Sequence, residues 1–172
     1  MTGSERSLAL VVGIGNPDRG DDGFGPAVVQ RLRGRVPSTI HIVERSGDPL
    51  ALIEDWNGIP FVIAVDAVAL ITEPGRVQRL DLSNSPLPVG FAPRSSHAFG
   101  VAETIELARN LNRLPPHLVA YLVEGEQFET GTPLSPAVAD AVEDVAERVV
   151  VELSAILGAE GSGCHARDST GA

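Results

Sequence analysis

Residues 11–25, from Val11 to Gly25, read VVGIGNPDRGDDGFG. An apolar, β-branched run closes at Gly13, a turn of Gly, Asn and Pro follows, and two adjacent carboxylates, Asp21 and Asp22, stand where a helix can begin. Beyond them Phe24, Val28 and Leu32 recur at helical spacing, with Pro26 tolerable because it falls in the first turn. The stretch therefore predicts a strand over residues 8–12, a sharp turn, and a helix from about Asp22 to Arg33 that Gly34 stops. A strand without polar alternation is buried on both faces, and such strands belong to parallel sheets covered by helices.

Working outward, the same unit recurs. Ile40 and Ile42 mark a second short strand, and Pro49 opens a short helix carrying Leu50, Leu52, Ile53 and Trp56. Phe61 to Val65 is another continuous apolar run, closed by Asp66. Gln78, Leu80 and Leu82 alternate weakly, as an edge strand does, and the proline-rich stretch from Ser83 to Ser96 reads as a surface loop. A helical stripe of Val101, Ile105, Ala108 and Leu111 precedes a third buried strand, Leu118 to Val123, and then a loop from Glu124 to Thr132. The last helix starts near Ser135 and Pro136, with Val138, Val142, Val145, Val149 and Leu153 facing inward and Asp140, Glu143, Asp144 and Glu147 outward. The fold class expected is α/β: a three-layer α/β/α sandwich around a mostly parallel sheet of about five strands. It should form a single domain over residues 1–158, followed by a Gly- and Ser-rich tail, 159–172, with too little apolar surface to order it.

Composition narrows the function classes. The only cysteine, Cys164, lies in that tail, so neither an internal disulfide nor a cysteine-based zinc site is available. A formal net charge of -10 argues against nucleic acid, which needs a basic patch, and suits a cationic ligand or basic partner surface better. No apolar run approaches the roughly 18 residues that span a bilayer, and MTGSERS lacks the features of a signal peptide, so no membrane partner and a cytoplasmic location are expected.

In an open parallel sheet, ligands sit outside the carboxyl ends of the strands. Asp22 after the first strand, Asp66 at the end of the third, and His97 in the loop entering a helix all fall at that edge. Two carboxylates and an imidazole suit a divalent cation such as nickel or zinc, with positions left for water or substrate. Each also has a plain structural alternative. Asp21 or Asp22 could cap the first helix, Asp66 could accept backbone amides, and His97 could cap its own helix or face solvent. Two commoner motifs fail: Asp18 occupies the third glycine position of a dinucleotide fingerprint, and the turn has no Lys followed by Ser or Thr for a phosphate loop. A triad of Ser96, His97 and Asp66 is poor, since adjacent residues seldom direct their side chains at one another.

GIGNPDRGDDGFG, VDAV around Asp66, SSHAFG around His97 and PLSPAV opening the last helix resemble, in kind and order, the hydrogenase maturation proteases. The likeness covers roughly Leu8 to Leu157. It implies an endopeptidase that removes the C-terminal extension of a nickel-iron hydrogenase large-subunit precursor after nickel insertion, so the nickel arrives with the substrate and no nucleotide cofactor is needed. It also carries a metal-contacting, catalytic trio onto Asp22, Asp66 and His97; the first position is Glu or Asp in the family, and Asp22 is the shorter variant. Whether the metal activates water or only anchors substrate stays open, as does whether Asp21 is a second carboxylate or a cap. Two rivals share these residues: a non-enzymatic nickel-binding assembly factor, and a related α/β peptidase acting on another protein.

Overall fold

Five strands order as β2-β1-β3-β5-β4 in one sheet. They are β1 (Ala9–Ile14), β2 (Ile40–Arg45), β3 (Phe61–Ala69), β4 (Val77–Asp81) and β5 (His117–Gly125). The computed structural model describes residues 7–69, 71–88 and 101–163. β1 pairs in parallel with β2 and β3, and β3 with β5, while the edge strand β4 runs antiparallel to β5. The helices are α1 (Phe24–Leu32), α2 (Pro49–Asp55), α3 (Val101–Asn110) and α4 (Pro136–Gly163).

Side-chain parity along the strands explains the layers. Val11, Ile63, Val65, Tyr121 and Val123 meet Val28, Val29 and Leu32 of α1 and Val138, Val145 and Val149 of α4 on one face. Leu10, Val12, Val62, Ala64, Ala120 and Leu122 meet Leu52 and Ile53 of α2 and Ile105 and Ala108 of α3 on the other. Both faces are covered, so residues 9–14, 61–65 and 118–123 of the central strands carry no charged side chain, and each fully buried aliphatic contributes roughly 1.5–3 kcal/mol. Phe61 and His117, at the opposite end of the sheet from the carboxylates, stack with centroids 4.5 Å apart.

Several boundaries differ from expectation. A 3-10 turn over Gly20–Gly23 holds both Asp21 and Asp22, and α1 begins only at Phe24. β3 does not end at Asp66 but continues to Ala69, pairing Asp66 with Leu122 and Val68 with Glu124, so Asp66 lies inside the strand. Glu124, expected in a loop, is a fully buried residue of β5. Leu111 lies just past the end of α3 and is exposed. α4 continues through Gly163, over the first residues of the stretch assigned to the tail. Among the described residues, no helix is long and apolar enough to cross a membrane.

Candidate active site

The strand order places the site. α1, which follows β1, packs on one face of the sheet, and α3, which follows the β3-β4 arm, packs on the other. Adjacent parallel strands whose following helices diverge leave a crevice at their carboxyl ends, here between β1 and β3.

Glycine lets α1 close over that crevice. A Cβ on Gly25 would lie 2.4 Å from the Ile14 carbonyl oxygen and 2.5 Å from that of Val65, and one on Gly13 would lie 2.4 Å from the Gly25 oxygen. Only bare backbone fits at both positions, so the start of α1 rests directly on the ends of β1 and β3. Gly15 then turns the chain with φ of 130°, and a Cβ there would meet the Asp22 carbonyl oxygen. The turn closes on itself: Asp18 N–H donates to Asn16 Oδ1 at 2.9 Å, and Asn16 N–H donates to Asp22 Oδ2 at 2.9 Å. Among the described residues, that is the single hydrogen bond the Asp22 carboxylate accepts.

Asp66 approaches from β3 with the parity of Val62 and Ala64, toward α3. It is 4 % exposed and accepts the N–H of Ala67 on Oδ1 at 2.8 Å and that of Val101, the first residue of α3, on Oδ2 at 3.0 Å. Burial, foremost, pushes its pKa up to about 7; the two backbone donors oppose this, and the negative charges of Asp22 and Glu103 add to it. A carboxyl titrating near neutrality, with room for further partners and with Asp22 as an electrostatic neighbour, can act as a proton acceptor or as a ligand.

Asp21 takes the opposite part. It is fully buried, and among the described residues every hydrogen bond its carboxylate accepts comes from residues 126–135. Its Oδ1 accepts Ser135 N–H at 2.6 Å, and its Oδ2 accepts Glu126 N–H at 2.9 Å, Gln127 N–H at 3.1 Å and the Ser135 hydroxyl at 3.0 Å. It is therefore a brace between the first turn and the start of α4, not a base or a cap of α1. Glu124 is likewise saturated: Oε2 accepts the N–H groups of Ile71, Thr72 and Glu73 at 3.0, 2.5 and 3.0 Å. Burial acts to raise its pKa, but those three donors and Gln78 outweigh it and hold the carboxyl below the usual range.

Of the expected trio, Asp22 and Asp66 come to one sheet edge, and His97 lies outside the described residues. Among the described residues, no set of three His, Cys, Asp or Glu side chains gathers into a complete ion site. Sequence reasoning missed Glu124 as a buried group and treated Asp21 and PLSPAV as unrelated; the signal joining them was a serine that needs a partner at the mouth of a helix.

The family model for hydrogenase maturation protease matches residues 26–152. The chain belongs to that family and is a maturation endopeptidase. It is 32% identical over 157 residues to the hydrogenase expression/formation protein HupD of Bradyrhizobium diazoefficiens, covering 88% of this chain and 82% of that one. The hydrogenase maturating endopeptidase HybD of E. coli shares the fold, with a TM-score of 0.69 at 24% identity over 85% of this chain and 91% of that one. The [NiFe] hydrogenase maturation protease HycI of Thermococcus kodakarensis superposes with a TM-score of 0.64 at 22% identity, over 88% and 95% of the two chains.

Proposed function

We propose that this protease removes the C-terminal extension of a nickel-iron hydrogenase large-subunit precursor, and that Asp22, Asp66 and His97 contact the nickel which that substrate carries. The observation that supports the reading best is the meeting of Asp22 and Asp66 at the carboxyl ends of β1 and β3: among the described residues their carboxylates accept one and two hydrogen bonds, and the charge of Asp22 acts on Asp66. A substrate-borne cation would bring Asp22 and Asp66 the positive charge that their mutual repulsion leaves them wanting. With its pKa near 7, Asp66 also suits proton acceptance from an attacking water at neutral pH. The nickel supplies polarisation of the scissile carbonyl or of that water. The chain's own part is to orient the peptide beside it.

The test is incubation of the purified chain with nickel-loaded precursor, followed by mass spectrometry of the large subunit. A shortened subunit is expected with wild type and a loss of at least about 10²-fold in rate with Asp22→Ala, Asp66→Ala or His97→Ala. Binding without cleavage by wild type would identify an assembly factor instead, and normal cleavage by Asp22→Ala would return that residue to a purely local role.

A further inference from the structure

Resting on the reading of Asp22 as a contact to the substrate's nickel, we propose that Asp21 is the positioning residue of this site. It fastens the loop between β5 and α4 to the turn that carries Asp22, and so fixes where Asp22 stands.

Four donors converge on one carboxylate: the N–H groups of Glu126, Gln127 and Ser135, and the Ser135 hydroxyl. The backbone reciprocates, with Asp21 N–H donating to the Gln127 carbonyl at 2.8 Å. Two further bonds stitch the same segments together, Gly20 N–H to Thr132 O at 3.0 Å and Gly131 N–H to Asp18 O at 2.7 Å. The fit is close: a Cβ on Gly125 would lie 2.7 Å from Asp21 Cβ and 2.8 Å from the Phe128 ring. Asp21 and Asp22 are consecutive, so their Cα atoms stand about 3.8 Å apart, and locking the first removes most of the freedom of the second.

The chemistry requires a carboxylate here, because every group facing it is a donor. An amide in its place offers one acceptor oxygen and sets its own NH2 against N–H groups. Asp21 is fully buried and its oxygens are occupied, so it holds Asp22 in place and does not itself touch substrate.

Asp21→Asn and Ser135→Ala test the assignment with nickel-loaded precursor, at a temperature where circular dichroism shows each variant fully folded. Displacement of a catalytic group by about an ångström costs on the order of 10²-fold. Asp21→Asn is therefore expected to lower kcat by about that factor while KM moves no more than about threefold, and Ser135→Ala, which removes one donor of four, to lower kcat a few-fold. If Asp21→Asn does not fold, Ser135→Ala carries the test alone through the same split of kcat from KM. Wild-type kcat per folded molecule in both variants, alongside an inactive Asp22→Ala, overturns the positioning role and leaves the site reading intact. A loss that only follows the folded fraction also overturns it. Full activity in Asp22→Ala refutes the site reading itself.

Discussion

Asp21 and Glu124 each meet four hydrogen-bond donors, whereas Asp22 and Asp66, at the same edge of the same sheet, meet one and two among the described residues. All four are carboxylates, and three of them are buried. Burial alone does not separate a reactive carboxylate from an inert one. The number of fixed dipoles around it does, because each N–H both stabilises the charge and occupies a lone pair that a metal or a proton would otherwise take. The saturated pair braces the connections leaving β1 and β3; the unsaturated pair lies where the ends of those strands meet the starts of α1 and α3.

The largest effect that tests this division is expected at Glu124. Glu124→Ala removes the charged acceptor that the N–H groups of Ile71, Thr72 and Glu73 share, and each hydrogen bond to a charged group contributes about 1.5–3 kcal/mol. A total destabilisation of about 3 kcal/mol or more should appear in urea unfolding, with turnover per folded molecule retained. Asp66→Ala should behave in the reverse manner, losing activity first. If Glu124→Ala instead abolished cleavage while fully folded, saturation would be a poor guide to role.

A smaller effect, with opposite signs at the two sites, is expected as pH changes. Asp66 has a folded pKa near 7 against an ordinary value of 3.8, so its protonated form is the one the fold favours. Its stabilising contribution is complete below about pH 4 and is lost as pH rises through 7. Glu124 has a folded value depressed below 4.5, so its contribution is present above that pH and is lost as pH falls through the folded value. Melting curves from pH 3 to 9 should therefore show Asp66→Asn gaining several degrees on wild type between pH 4 and 8, and Glu124→Gln losing its deficit in acid. A flat difference for Asp66→Asn would mean that its carboxyl is solvated.

Much of this architecture was legible in the sequence, for identifiable reasons. Uniform apolar runs such as Leu8 to Val12 and Phe61 to Val65 announced strands buried on both faces, and the valine stripe of α4 announced a helix lying on them. The carboxylates were harder. A charge conventionally ends a buried strand, so β3 reads as ending at Asp66, yet pairing continues to Ala69, and the start of α3 supplies the carboxylate a donor 35 residues away. Glu124 read as a loop residue for the same reason, its donors lying 51 to 53 residues earlier in a turn with no distinctive composition. Asp21 read as either a second carboxylate or a local cap, though its partners are 105 to 114 residues distant. Local pattern reports local periodicity; it cannot report which distant amides a side chain will meet.

The smallest effect concerns a third kind of carboxylate, one met by side chains in place of backbone. Glu152 of α4 accepts the Tyr121 hydroxyl at 2.7 Å and pairs with both Arg79 Nε and its terminal NH2 across the sheet edge. Burial, then the Glu152 carboxylate, pushes the Tyr121 hydroxyl up to about 12, so it remains a donor at every working pH. Unlike the amides around Asp21 and Glu124, these donors can rotate, and Arg79 is 44% exposed and can turn to water. Tyr121→Phe should therefore cost only about 1 kcal/mol, because Arg79 continues to satisfy Glu152. Cleavage should be unchanged and the pH dependence of stability the same as wild type. A loss comparable to that of Glu124→Ala would show that rigid backbone donors hold no advantage over mobile ones, and would remove the physical basis for separating the braces from the site.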